Sequence, residues 1–321
     1  MPLTLLVLSK PEAAHLRLLE ALPDEVRIVT GNQHEIFAQV APEADAILNG
    51  FVSLDLFRDV FLQTKKLRWI HSLSAGVENT LFPELIESPV PLTNASGVFS
   101  RSLAEFVIAG ALYFDKKIQQ MQQNQKQGRW VNMDVDELHG KTMGIVSYGS
   151  IGRACAKLAR AFGMKVLATR RRPELCDGDE LVDKAYAPSQ VAEMMAASDF
   201  VVICSPLTPS TRGLIGPAEL AAMKPSAILM NVGRGPVVVE DALIAVLREG
   251  KIRGAALDVF DKEPLPEGHP FYSMENVLLS PHSADHTPGW TEASMQFFIE
   301  NFGRFHRGQP LLNIVNKREG Y

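Results

Sequence analysis

The chain has 321 residues, 46% of them hydrophobic and 21% charged, with a formal net charge of −5. That length suits two domains of ordinary size, each with a substantial core. The acidic balance and the scattering of Lys and Arg predict neither a nucleic-acid nor a membrane partner, and no stretch approaches the roughly 18 apolar residues of a membrane span. Three cysteines, Cys155, Cys176 and Cys204, lack metal-ligand spacing. A sparse odd set predicts a reducing compartment and no disulfide framework. The apolar run Leu3–Leu8 is too short for a secretory signal and has no basic flank, so a cytoplasmic location is expected.

In the first hundred residues short apolar runs alternate with amphipathic stretches. Leu3–Leu8, Val26–Thr30, Ala46–Leu48 and Leu67–Ser72 read as strands, and Pro11–Leu22 and Ser53–Phe61 as helices. Strand alternating with helix implies parallel pairing with helices on both faces. Ser102 to about Gln127 reads as one long helix, turning Gln- and Lys-rich toward its end, and Gly128–Leu138 as irregular. A second series of strands follows at Met143–Ser147, Lys165–Thr169, Phe200–Cys204, Ala227–Val232, Gly254–Leu257 and Val277–Ser280. Helical patterns at Gly152–Phe162, Gln190–Ala197 and Asp241–Glu249 separate several of them. Thr291–Arg307 reads as a last helix returning to the first domain.

Between the first strand of the second series and its helix stands Ser147-Tyr148-Gly149-Ser150-Ile151-Gly152. This is the dinucleotide fingerprint with serine in place of its first glycine. Gly149 would let backbone approach a pyrophosphate, Gly152 would let helix and strand pack closely, and the helix N-terminus would face the phosphates. Serine at the first position allows fewer backbone angles than the tight turn favours. About 20 residues on, the pattern expects an acidic residue for the ribose hydroxyls. The strand instead ends in Arg170-Arg171-Arg172, a run that is either a solvated turn or a seat for a 2′-phosphate.

Three further segments close successive strands at their carboxyl ends, where open parallel sheets bind ligands. They are Asn231 to Pro236, Leu257 to Pro264, and Ser280 to Ala284. Reducing a 2-keto acid requires a cation for the carboxylate and polarised carbonyl, a proton donor, and a group that keeps the donor charged. Arg234, His282 and Glu263 answer those needs. Taken singly, Arg234 could pair with a surface carboxylate, Glu263 could cap a turn, and His282 could be a core histidine. His282 and His286 stand four apart, but Pro288 and the lack of a Cys or carboxylate framework speak against a metal site.

With these motifs in this order, the chain resembles the D-isomer-specific 2-hydroxyacid dehydrogenase family over essentially its whole length. Cys204-Ser205-Pro206-Leu207-Thr208-Pro209-Ser210-Thr211-Arg212 and Met223-Lys224-Pro225 add to the resemblance. It implies that Arg234 binds the substrate carboxylate and carbonyl, that His282 is the acid/base, and that Glu263 bonds the imidazole. It also implies a cofactor site at Tyr148, Gly149, Ser150, Ile151, Gly152, Arg170, Arg171, Ser205, Pro206, Thr211, Val232, Gly233 and Asp258, the last on the nicotinamide side. Ser74, Ala75 and Gly76 resemble the loop whose N–H groups hold the substrate carboxylate; an ordinary turn is the competing reading. Trp130 resembles an aromatic on the dimer arm of glyoxylate and hydroxypyruvate reductases, or else a buried packing tryptophan.

The fold class expected is α/β, with two doubly wound parallel-sheet domains. A Rossmann-type cofactor domain, residues 99–285, is inserted in a flavodoxin-like substrate domain, residues 1–98 and 286–321, with the active site in the cleft. The function expected is reduction of a small 2-keto acid, glyoxylate or hydroxypyruvate first, with NADP(H) preferred over NAD(H) on account of Arg170. Glu263 argues against the formate dehydrogenase branch, and a chain ending at Tyr321 leaves no room for the regulatory module of some phosphoglycerate dehydrogenases. A homodimer is expected. The rival reading is a nucleotide-sensing corepressor or binding protein of the same fold, which would bind nucleotide without turnover.

Overall fold

A computed structural model of the chain describes residues 3–321. Two compact units emerge, one reaching to Phe99 and including Thr287–Tyr321, the other spanning Ser100–His286.

In the first unit β1 (Thr4–Leu8), β2 (Arg27–Gly31), β3 (Ala46–Asn49), β4 (Trp69–Ser72) and β5 (Leu92–Asn94) form a parallel sheet ordered β2-β1-β3-β4-β5. This is the flavodoxin-type order. β1, β3 and β4 are buried at every residue; β1 and β3 accordingly read as largely apolar rather than alternating runs, while β4 also buries His71 and Ser72. Helices α1 (His34–Phe37), α2 (Leu54–Gln63) and α3 (Pro83–Glu87) connect the strands, and α10 (Trp290–His306) packs on the sheet. Trp69 stacks on Phe298 of α10 at 5.5 Å between ring centroids. The expected helix at Pro11–Leu22 forms only as 3₁₀ turns over Ala14–Ala21, with no side chain capping its start.

One buried polar knot sits under the carboxyl end of β4. Thr93 Oγ1 donates to Ile70 O and accepts from Trp69 Nε1 at 2.9 Å, and His71 Nδ1 lies 2.7 Å from it. A hydroxyl has a single proton, so His71 must be the donor at Nδ1. Its ring is held neutral, burial alone taking its pKa down to about 3.

The second unit opens with α4 (Ser100–Asp115) and α5 (Ile118–Lys126). The single helix expected from Ser102 to Gln127 is broken at Lys117, whose φ is 52°. Asp115, fully buried, fixes the break: Lys141 and Arg253 bond its two oxygens at 2.8 and 3.0 Å. Beyond that anchor the Gln-rich segment buries only Asn124, so nothing holds it on the path of α4.

The unit's sheet holds β6 (Thr142–Val146), β7 (Lys165–Thr169), β8 (Lys184–Tyr186), β9 (Phe200–Ile203), β10 (Ile228–Asn231), β11 (Gly254–Leu257) and β12 (Val277–Leu279). All are parallel, in the order β12-β11-β10-β9-β6-β7-β8. The order reverses between β6 and β9, the switch point at which such sheets bind ligands. Helices α6 (Ser150–Ala161), α7 (Val191–Ala197), α8 (Pro217–Ala222) and α9 (Glu240–Arg248) flank it. Among the described residues no helix is long and apolar enough to cross a membrane.

Candidate active site

The fingerprint turn joins β6 to α6. Ser147 sits at φ 70°, so the first position does demand the left-handed region that glycine normally serves, at a cost of about 1–2 kcal/mol for another residue. Two bonds hold the serine there. Its N–H donates to Thr169 Oγ1 at 3.0 Å, and its hydroxyl meets that of Ser205 at 2.6 Å. A Cβ on Gly149 would meet nothing within 4 Å, so the turn leaves open space at its second glycine. A Cβ on Gly152 would lie 2.9 Å from Ile145 and 3.3 Å from Ser147 O, which is the close helix–strand packing the third glycine permits. In the first turn of α6 the N–H groups of Ser150, Ile151 and Gly152 have no helical acceptor. These residues therefore fit a dinucleotide pyrophosphate at the positive end of α6.

The Tyr148 side chain is tied to the loop that bears Asp179. Its hydroxyl donates to Asp179 Oδ2 at 3.1 Å, and Arg153 of α6 binds the same oxygen. Burial and then the Asp179 bond push the phenol up to about 12, so it stays protonated. Asp179 lies in a loop with no helical or strand period, so sequence patterning held no signal for it. At the end of β7, Arg170 keeps a backbone bond to Tyr186 O at 3.0 Å while its Nη1 reaches 3.5 Å from Leu175 O. Arg170 is half-buried, and Arg171 and Arg172 are exposed.

The three groups expected to carry chemistry come together at the carboxyl ends of β10, β11 and β12. His282 Nδ1 is 2.6 Å from Glu263 Oε2, and Glu263 Oε1 accepts the Phe260 N–H at 2.9 Å. The imidazole pKa is raised, first by the Glu263 hydrogen bond, which outweighs burial; the Arg234 charge opposes the rise and Asp258 assists it. Glu263 is lowered overall: burial works to raise it, but the bonds from His282 and the Phe260 N–H prevail. Because Nδ1 faces Glu263, Nε2 is the nitrogen left to exchange a proton.

Arg234 is held by its own loop. Asn231 Oδ1 accepts from Gly233 N at 3.1 Å, Asn231 Nδ2 donates to Arg234 O at 3.1 Å, and Arg234 Nη1 donates to Gly233 O at 2.7 Å. The buried Asn231 is thus a clamp that residue type alone did not single out. A Cβ on Gly233 would come within 2.6 Å of Ser205 O, so Val232-Gly233 and Ser205-Pro206 are pressed backbone to backbone. Thr211 Oγ1 closes the second of those segments by donating to Pro206 O at 2.6 Å.

Asp258 is 1% exposed. Its Oδ1 accepts from Ser280 Oγ, Ser283 N and Ala284 N at 2.6, 2.9 and 3.0 Å, and its carbonyl takes the His282 N–H at 2.9 Å. The structure thus gives Asp258 the task of shaping the histidine loop, in which His282 itself adopts φ 51°. Several bonds converge on one strained residue, the usual condition for such a conformation to persist.

In the first unit the carbonyls of Leu73, Ser74, Ala75 and Val77 are taken. Ser294 Oγ donates to Leu73 O at 2.6 Å, Ala95 N to Ser74 O at 3.1 Å, and Asn94 Nδ2 to Ala75 O at 2.5 Å. The N–H groups of Ala75, Gly76 and Val77 have no hydrogen-bond partner among the described residues. A half-buried turn with three donors spare suits an oxyanion. Trp130 is 95% exposed, which removes the buried-packing reading.

A dinucleotide turn, a histidine–carboxylate pair and an arginine on neighbouring strand ends define a nicotinamide-dependent oxidoreductase of 2-hydroxy acids. The sequence profile described as "D-isomer specific 2-hydroxyacid dehydrogenase, NAD binding domain" matches residues 108–284. A glyoxylate reductase of Thermococcus gammatolerans is 32% identical over 310 residues, 93% of this chain and 90% of that protein. A glyoxylate/hydroxypyruvate reductase B of Yersinia enterocolitica is 34% identical over 296 residues, covering 89% and 87%. A D-isomer specific 2-hydroxyacid dehydrogenase of Xanthobacter autotrophicus, solved with NADPH and MES, superposes with a TM-score of 0.85 at 29% identity over 100% of both chains. The chain belongs to the D-isomer specific 2-hydroxyacid dehydrogenase family. It is accordingly an enzyme that binds a nicotinamide cofactor and acts on 2-keto or 2-hydroxy acids.

Proposed function

We propose that the protein reduces glyoxylate or hydroxypyruvate to the 2-hydroxy acid with NADPH as the preferred donor. The observation that carries the acid/base chemistry is the 2.6 Å contact between His282 Nδ1 and Glu263 Oε2. It favours the charged imidazole, which in reduction gives its Nε2 proton to a carbonyl oxygen. Arg234 offers a planar fork for the carboxylate and stabilises negative charge developing on the carbonyl oxygen. The N–H groups of Ala75, Gly76 and Val77 take carboxylate oxygens. Nicotinamide, when bound, supplies the hydride. The names of the relatives from Thermococcus and Yersinia support the choice of substrate.

For the cofactor, support comes from Arg170, which directly follows β7 where a carboxylate would hold ribose hydroxyls, and from the NADPH in the Xanthobacter neighbour. A guanidinium there makes charge-assisted bonds to a 2′-phosphate. One such bond is worth about 1–3 kcal/mol, or roughly 5- to 150-fold in preference. The test is kcat/KM for NADPH and NADH with glyoxylate and hydroxypyruvate, on the wild type and on Arg170→Asp. NADPH should lead clearly in the wild type, mostly through KM, and lose its lead in the variant. Equal kcat/KM for both cofactors returns the arginine run to a solvated turn, and nucleotide binding without turnover favours the corepressor reading. A homodimer belongs to the same reading: Trp130, Val131 and Val135 are 95%, 53% and 41% exposed, apolar surface that a second copy would cover.

A further inference from the structure

The turn that carries Glu263 is gripped from outside the reacting groups. Glu240, the first residue of α9, follows the Arg234 loop closely in sequence. Its Oε2 accepts the Asp261 N–H at 3.2 Å, and its Oε1 lies 3.1 Å from His269 Nε2. His269 Nδ1 accepts the Phe271 N–H at 3.3 Å, so the ring proton is on Nε2 and is donated to Glu240. The His269 ring also packs on Phe271 at 4.9 Å between centroids. Both side chains are largely withdrawn from solvent, 23% exposed for Glu240 and 14% for His269.

The Asp258–Glu263 turn is therefore pinned by two carboxylates on adjacent amides. Glu263 takes the N–H of Phe260, and Glu240 takes the N–H of Asp261. On the same side, the Phe260 carbonyl lies where a Cβ on Gly235 would fall, at 1.9 Å. The pair consequently joins three pieces: the helix following Arg234, the turn bearing Glu263, and the segment at His269.

We propose that Glu240 and His269 form a positioning pair that sets the Glu263 carboxylate against His282, and so tunes the acid/base without touching substrate or cofactor. This rests on the reading of His282 as the proton donor. The charged groups that face the His282 ring are Glu263, Arg234 and Asp258. Glu240 is not among them, so any change in His282 titration on altering Glu240 comes through position rather than direct charge. Loosening the turn weakens the Glu263–His282 bond, and the ring becomes easier to deprotonate.

The test is an NMR titration of the His282 ring in the unliganded full chain, its resonance assigned with His282→Ala. Glu240→Ala and His269→Phe, the latter lacking the donor, should each lower the His282 midpoint. His269→Gln retains an N–H donor and should keep the midpoint close to wild type. In turnover, the first two variants should lose about 10- to 100-fold in kcat, the scale of an ångström misplacement, while KM for NADPH stays unchanged. A His282 midpoint unmoved in His269→Phe overturns the proposal, even if melting temperature falls. If Glu240→Ala does not fold, the two His269 variants decide alone. Absence of keto-acid reduction by the wild type would defeat the functional reading while leaving the titration valid, so the two failures are separable.

Discussion

Gly235→Ala tests whether the loops bearing Arg234 and Glu263 must touch. Gly235 lies outside the left-handed region, so alanine meets no backbone penalty and the cost is contact alone. Its Cβ would stand 1.9 Å from both the carbonyl carbon and the oxygen of Phe260, and 2.5 Å from Asp261 N. All three are main-chain atoms, so no side chain can swing clear. Restoring an ordinary separation of about 3.4 Å requires the loops to part by roughly 1.5 Å. Overpacking of this kind costs about 1–3 kcal/mol, and each kcal/mol lowers Tm by roughly 2–4 °C in a domain of this size. Because one loop carries the guanidinium and the other the carboxylate, their spacing changes by the same ångström-scale shift, and kcat should fall by about 100-fold. Val232 and Gly233 belong to the same loop and Gly233 is pressed on Ser205, so Kd for NADPH reports how far the shift spreads toward the nucleotide turn. Steady-state kinetics, a thermal melt and a cofactor titration measure the three. Wild-type kcat together with a wild-type Tm would refute the claim that these loops are in enforced contact.

Glu263→Gln removes the charge that most raises His282. Reduction needs the protonated ring and declines as pH rises through its pKa, so the declining limb of the kcat profile should move to lower pH; an unmoved limb would break the pairing. His282→Ala should lose about 10²- to 10⁴-fold in kcat, the usual contribution of a general acid, while Kd for NADPH stays near wild type. Arg234→Lys keeps the charge but replaces a planar fork with a movable point, so kcat/KM for keto acids should collapse. Activity within a few-fold of wild type would assign the carboxylate to the Ala75–Val77 amides alone.

What the sequence made legible follows from how each feature is encoded. Buried parallel strands such as β1 and β9 are uniform apolar runs, and the residues for proton donation and carboxylate binding are few enough in type to stand out. The three-residue strands β5 (Leu-Thr-Asn) and β8 (Lys-Ala-Tyr) mix polar with apolar residues and passed unread, whereas β12, equally short but Val-Leu-Leu, was legible. The break at Lys117 was hidden because it depends on Asp115 meeting Lys141 and Arg253, partners 26 and 138 residues away. Asn231 and Asp258 stood within motifs that were noted, yet their tasks depend on which amide each oxygen meets, and that is a tertiary fact.

Ser147 shows the same limit from the other side. As a departure from glycine it put the first fingerprint turn in question, and the backbone is indeed left-handed there. The answer lies 58 residues on, in the hydroxyl of Ser205, 1% exposed and 2.6 Å away. A hydrogen bond of this kind contributes about 0.5–1.5 kcal/mol, the same order as the strain of a non-glycine residue at that angle. Ser205 in turn stands against Gly233, whose missing side chain lets the segment after β10 lie on the segment after β9. The substitution that looks least favourable in the fingerprint is therefore tied, through one serine and one glycine, to the loop that presents Arg234. The turn for the nucleotide and the loop for the substrate carboxylate are one packed assembly rather than two motifs that happen to share a sheet.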